Sequence, residues 1–192
     1  MKKRGLLLAA IVITMIFLSK PAFGHCDTME GPVVADAKKA IELNNVNYIL
    51  KWVQTSDENE LKYVFNKAMK VRGLSSDAME LADKYLFETL VRIHRSGEGV
   101  PYTGVKPVGT PIDEKILAAD KSIESGDLSP LKGFVPQKKS AELKKRFDKV
   151  MSLKKYDVNN VAAGREYVEA YVQFFHFAEG EQESPSHEHG HK

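Results

Sequence analysis

The chain has 192 residues, with 28 Lys+Arg against 26 Asp+Glu. Lys2, Lys3, Arg4 and Lys20 all precede His25, in a stretch that holds no acid, so the rest of the chain carries slightly more acid than base. That balance removes the compositional case for a nucleic-acid partner, and a single cysteine, Cys26, excludes an internal disulfide framework.

The start reads as an export signal. Lys2, Lys3 and Arg4 form a positive n-region, and Gly5 to Ser19 is an apolar run, short for a membrane span. Ala22-Phe23-Gly24 places small residues where signal peptidase needs them. Cleavage is expected between Gly24 and His25. It leaves a periplasmic or secreted chain with no stable membrane anchor. The remaining residues suffice for one domain over 25–179.

Helix signals then recur, and the expected class is all-α. Pro32 follows Gly31 as a first-turn proline before VVADAKKAIEL. Asn45 can cap VNYILKWV. Thr55-x-x-Glu58 reads as a capping box opening DENELKYVFNKAMKVR, with Gly73 as its stop. Ser75 and Ser76 open a long helix whose Met79, Ala82, Leu86, Leu90 and Ile93 recur at three- and four-residue steps. Residues 98–111 are rich in Gly and Pro and read as an extended linker, from which Tyr102 can fold back. Thr110-Pro111-x-Asp113 starts the next helix and Gly126 ends it. Pro136 opens QKKSAELKKRFDKVMSLKK, and Asp157 is expected to cap VNNVAAGREYVEAYVQFFHFAE. The lysine and arginine runs of this half are interleaved with Glu142 and Asp148, as on a solvated helix face. The tail, 180–192, is polar and contains His187, His189 and His191; it is expected to be disordered and to bind divalent metals weakly at most.

The second half repeats the first. Adding 82 to the residue numbers lays AKKAIE (37–42) on ADKSIE (119–124) and ELKYVFNKAM (60–69) on ELKKRFDKVM (142–151). Over 37–94 the register runs without a gap, with 13 identities in 58 positions, among them Tyr85/Tyr167 and His94/His176. The expectation is a helical bundle of two tandem, pseudo-twofold-related four-helix repeats, about 32–97 and 112–179. If the two long final helices meet near the axis, they present His94 and His176 from matching positions.

Those histidines join His25 and Cys26 as candidate metal ligands. A freed N-terminal histidine offers its α-amine and imidazole to one ion, and the neighbouring thiolate adds a softer donor, a set suited to copper, nickel or zinc. A lone thiol in an oxidising compartment is paired between chains, buried, or protected by a metal. Glu98, one turn after His94, and Glu169, two turns before His176, are candidate supporting carboxylates. The chain lacks Cys-x-x-Cys-His, the EF-hand loop, the phosphate-binding Gly-x-x-x-x-Gly-Lys and the Glu-x-x-His pair of di-iron bundles.

Two resemblances follow from these motifs. His25-Cys26-Asp27-Thr28-Met29-Glu30-Gly31 resembles the amino-terminal hook of nickel superoxide dismutase, matching at His25, Cys26, Asp27 and Gly31. It departs at Glu30, where that family has a second thiolate ligand, and at Met29, where it has proline, so the dismutase activity does not carry over. HCDTMEGPVV, FETLVRIHRSGEGVPYTGVKP and AGREYVEAYVQFFH together resemble an uncharacterised family of exported bacterial helical proteins, a domain of unknown function.

Three functions remain open at this level. One is an exported protein that stores, buffers or senses a transition metal through His25, Cys26 and the two histidines. Another is a redox enzyme acting on a small oxygen species at that site. The third is a metal-free helical module that binds a protein or small ligand.

Overall fold

The structure is a computed structural model that describes residues 25–180. The expected signal segment and the histidines of the tail lie outside the described residues. Among those described there are seven α-helices and no strand, beyond an isolated parallel bridge between Thr28 and Lys106. The all-α expectation is met. No helix among the described residues is long and apolar enough to cross a membrane.

A 3-10 turn, His25–Asp27, leads into α1 (Pro32–Glu42) and the short α2 (Asn47–Leu50). A second turn, Thr55–Asp57, precedes α3 (Glu58–Val71), and α4 (Ser76–Gly97) returns along it. After the linker come α5 (Glu114–Ser125), turns at Ser129–Leu131 and Gln137–Lys139, α6 (Ser140–Leu153) and α7 (Val161–Glu179). The α3–α4 and α6–α7 pairs are antiparallel hairpins, and α1 and α5 pack on α4 and α7 respectively.

Local chemistry explains most of the boundaries. Ser75 Oγ accepts the Ala78 N–H at 3.1 Å and opens α4. Asp113 accepts from Lys115 N at 2.8 Å and opens α5, while Gly126, at φ +74°, ends it in the left-handed conformation a Cβ disfavours. Asn45 accepts from Asn47 N at 3.0 Å before α2. Two starts differ from expectation. The Thr55/Glu58 capping box does not form, because the Glu58 N–H goes to the Thr55 carbonyl and the Glu58 carboxylate accepts from Lys62 and Arg165, and α3 begins at Glu58 without a side-chain cap. Asn160, not Asp157, caps α7 through the Ala163 N–H at 3.1 Å; Asp157 instead closes a turn onto Asn159 N at 2.9 Å.

One continuous apolar core joins all the long helices, with Ile49, Leu61, Leu86, Leu90 and Phe174 fully enclosed. Each such side chain contributes roughly 1.5–3 kcal/mol by leaving water. Polar ties also cross between the chain halves, those of Arg165 and Lys51 among them. Arg165 donates to the Val53 carbonyl at 2.9 Å and to Glu58 Oε1 at 2.6 Å. Lys51 Nζ bridges Asp36 at 2.8 Å and the Tyr156 hydroxyl at 2.7 Å, and Trp52 Nε1 donates to the same Asp36 oxygen at 2.7 Å.

Candidate metal centre at the amino-terminal turn

His25 and Cys26 are held against the body of the protein. Thr28 closes the turn, donating its N–H and hydroxyl to the His25 carbonyl at 3.3 and 3.1 Å. The linker clips the segment from the other side: Lys106 N donates to the Asp27 carbonyl at 2.7 Å, and Met29 N to the Lys106 carbonyl at 2.9 Å. Glu30 accepts from Gly109 N at 2.9 Å. The linker is therefore a strap over the His25–Asp27 turn, and Tyr102 packs into the core beneath it, its hydroxyl buried without a hydrogen-bond partner.

The His25 ring stacks 6.3 Å from Phe175, nearly parallel to it, and its Nε2 lies 2.9 Å from Asp120 Oδ2. The other oxygen of Asp120 accepts the Tyr171 hydroxyl at 2.9 Å. A carboxylate only accepts, so this contact places a proton on Nε2. In the neutral imidazole the lone pair then sits on Nδ1, the ring nitrogen nearer the backbone.

Cys26 is partly buried and packs on the core. Its thiol pKa is pushed well above the ordinary value, by burial first and then by the carboxylates of Glu98, Asp27 and Asp120, with Arg95 opposing. Three acids against one guanidinium make the surroundings of the thiol electronegative. Asp27 is itself 2% exposed, and burial raises its pKa, although Arg95 and His94 pull the other way. Its Oδ1 lies 3.3 Å from Arg95 Nε. Burial and repulsion oppose an uncompensated thiolate here, so nucleophilic cysteine chemistry is disfavoured.

His94, late in α4, is 4% exposed. Its Nδ1 is 3.0 Å from the Trp52 carbonyl, which can only accept, so Nδ1 carries a proton. Nε2 is buried and makes no hydrogen bond; Glu98 Oε1 stands 3.4 Å away without forming one. Glu98 is also the acid that weighs most on the Cys26 thiol. His94, Glu98 and Cys26 therefore share one neighbourhood with Asp27.

His176 stands apart. It is exposed on α7, whereas His94 is buried on α4. Glu169 accepts from Gln173 on its own helix at 3.2 Å. Among the described residues no three His, Cys, Asp or Glu side chains converge on a point ready to hold an ion. The residues present still fit one in chemical kind, with a buried imidazole nitrogen that makes no hydrogen bond, a thiol and a surplus of carboxylates. The sequence names His25, Cys26, His94 and Glu98 as candidates; it gives no such signal for Asp120, Tyr171 or Arg95, which the structure places beside them. Asp120 belongs to the other half of the chain from His25 and carries no local signal.

The model of a family of unknown function, DUF6448, matches residues 30–177, and the chain belongs to that family. The match takes in His94 and His176 and begins after His25 and Cys26. No curated protein and no solved structure matches the chain.

Proposed function

We propose that this member of the family is an exported protein that binds copper, nickel or zinc at the amino terminus released by cleavage before His25. The ligands are the α-amine and Nδ1 of His25, the Cys26 thiolate and His94 Nε2, with Glu98 at hand as a further donor. The observation that carries the reading is the buried Nε2 of His94. It has no hydrogen-bond partner and faces a carboxylate, in the neighbourhood of a thiol that other carboxylates surround. A cation there answers the lone pair and the negative field together, and it displaces the thiol proton. Asp120 supports the same reading. By accepting a hydrogen bond from His25 Nε2–H it leaves Nδ1 and the α-amine to close one chelate ring, as carboxylates commonly do for metal-bound histidines. The ligand side chains need a rearrangement of the turn to meet on one ion, and a free α-amine supplies the occasion for it. His176 is not required by this set.

Native mass spectrometry tests the reading. The protein is exported from its own signal and purified without tag or chelator. The expected mass begins at His25 and includes one stoichiometric transition-metal ion. The expected mass falls by that ion in His94→Ala and in a chain carrying one residue added before His25. A chain beginning at His25 that stays metal-free after incubation with copper, nickel and zinc overturns the proposal.

We also infer that the domain is a tandem duplication, in which each position of the first half answers to the position numbered 82 higher in the second. Adding 82 to the bounds of α3 gives those of α6, and adding it to the turn Thr55–Asp57 gives Gln137–Lys139. α1 shifted lies within one residue of α5, and α4 shifted overlaps α7. Leu61/Leu143, Phe65/Phe147, Leu86/Val168 and Ile93/Phe175 are buried in both halves. Superposing 32–97 on 114–179 in an experimental structure tests it, and helices that fail to overlie in that register would refute it.

A further inference from the structure

A cleft of about 420 Å³ opens where the two halves of the chain meet, between α1 and α2 on one side and the loop 154–158 that leads into α7 on the other. That volume lies in the range of small-molecule sites. Three lysines line it, Lys39, Lys51 and Lys154, with two acids, Asp36 and Asp157.

Lys51 is 8% exposed. Taking an ammonium out of water is costly, and an apolar side chain of similar volume often serves stability as well, so stability alone does not account for a lysine here. Its Nζ carries three protons. One goes to Asp36 Oδ2 at 2.8 Å and one to the Tyr156 hydroxyl at 2.7 Å, which leaves the third. Tyr156 accepts that bond, so its own O–H remains to be donated. The rings of Trp52, Tyr156 and Tyr167, 5.4 to 5.8 Å from Nζ, fix the ammonium in place. Gly164 lets Lys51 and Tyr156 come together. A Cβ there would lie 3.0 Å from Lys51 Cβ and 3.1 Å from Tyr156 Cε2. Glycine in a helix interior is destabilising relative to alanine, and here it keeps room for that contact.

The acids do not cancel the charge. The Asp36 oxygen that takes Lys51 also takes Trp52 Nε1, at 2.7 Å, and Asp157 accepts from Asn159 N at 2.9 Å. Lys154 donates to the Ile123 carbonyl at 2.5 Å, and Lys39 lies over the Tyr48 ring at 4.9 Å. A carbonyl and a ring carry no charge of their own, so the cleft keeps a positive excess. Beside it Asn45 and Asn47 both donate to Asn159 Oδ1, at 3.4 and 3.1 Å, and tie its two sides together.

We propose that this cleft binds a small organic anion, a carboxylate or a phosphate monoester. The acidic group takes the third Lys51 proton and the Tyr156 O–H, within the field of Lys39 and Lys154, and the body of the ligand packs on the rings of Tyr48 and Tyr156. The positive excess and the two uncommitted donors select an anion; the rings select one with an apolar part. None of these residues is a ligand of the proposed metal centre, so either proposal can fail alone.

Amide NMR titration of the full chain with benzoate and with phenyl phosphate, at constant ionic strength, tests it, with benzylamine as the cationic control. The expected result is saturable shifts confined to the segments 36–51 and 154–164, with a dissociation constant below about 1 mM for at least one of the anions, and none with benzylamine. The tighter of the two anions identifies the acidic group. Lys51→Met should weaken binding at least about tenfold, with circular dichroism confirming an unchanged fold. The double variant Lys39→Gln/Lys154→Gln, which leaves the pairings of Lys51 intact, should weaken it about threefold or more. No saturable shift with either anion at about 10 mM overturns the proposal. So does an equal response to benzylamine, or shifts that spread with the same midpoint over the lysines of α6. Should Lys51→Met fail to fold, the double variant decides, and unchanged affinity in either variant overturns the assignment.

Discussion

Gly31 lies so close to His25 that a Cβ built on it would stand 2.1 Å from the His25 carbonyl oxygen. That oxygen also receives the two Thr28 donors. Gly31 therefore sets how tightly the amino-terminal turn can curl before α1.

Gly31→Ala should push His25 outward and separate its ring from Asp120 and Phe175. The turn itself contributes modestly to the fold, so a loss of about 1–2 kcal/mol is expected. The sharper effect should be on hydrogen exchange at residues 25–29, with protection falling while the α3–α4 hairpin keeps its own. Unchanged exchange at the turn would show that the close approach does not govern it.

His94→Ala removes a buried ring, and it leaves the Trp52 carbonyl without its donor. The cost to the metal-free protein should be about 2–4 kcal/mol, read by urea unfolding. The metal adds a second readout. At 100 times its dissociation constant a bound ion raises stability by about 2.7 kcal/mol. That increment should be present in the wild type and largely absent in the variant. If both gain equally, His94 is a core residue and not a ligand.

Sequence made the helices legible where the signal was confined to a few residues. Ser75, Asp113 and Gly126 act on N–H and carbonyl groups within one turn, and each was readable. Thr55 and Asp157 failed because each sits in a turn of its own: the Thr55 carbonyl takes the Glu58 N–H, and Asp157 closes onto Asn159 N while Asn160 takes the Ala163 N–H. The site divides in the same way. His25 and Cys26 stand out by position, and Glu98 by its spacing from His94. Asp120 and Tyr171 reach the site from α5 and α7, and Lys106 from a linker whose sequence announces only that it is not helical. The duplication register relates equivalent positions but names no contacts between them. It paired His94 with His176, while burial separates the two: His94 is enclosed and His176 is exposed.

Glu58 gives the fold an acid-sensitive tie. Burial alone would raise its pKa, but hydrogen bonds from Lys62 and Arg165, with their charges, outweigh it and hold the carboxyl below the usual range. A group whose pKa is depressed by folding stabilises above its unfolded value, near about 4.3, and loses that contribution as pH falls through the folded value. Glu58→Gln should therefore cost about 1–2 kcal/mol near neutrality, since it weakens a charge-assisted bond between the two halves. The gap to wild type should close below about pH 4. Chemical denaturation at a series of pH values measures both ends; a gap that persists in acid would mean that packing, not charge, makes the tie.

Asp27 works in the opposite sense. Burial raises its pKa despite Arg95 and His94, so the folded chain binds a proton more tightly there than the unfolded chain does. The associated stability is complete below the unfolded value, near about 3.9, and is lost as pH rises through the folded value. Asp27→Asn mimics the protonated acid and removes this loss. Measured with a chelator present, the variant should approach or exceed wild-type stability as pH climbs from about 4 toward neutrality. Adding a divalent transition metal should reverse the order. The ion restores value to the ionised carboxylate, through its charge alone even if Asp27 does not touch it. A variant that stays ahead with metal present would show that the carboxylates around Cys26 do not serve a bound cation.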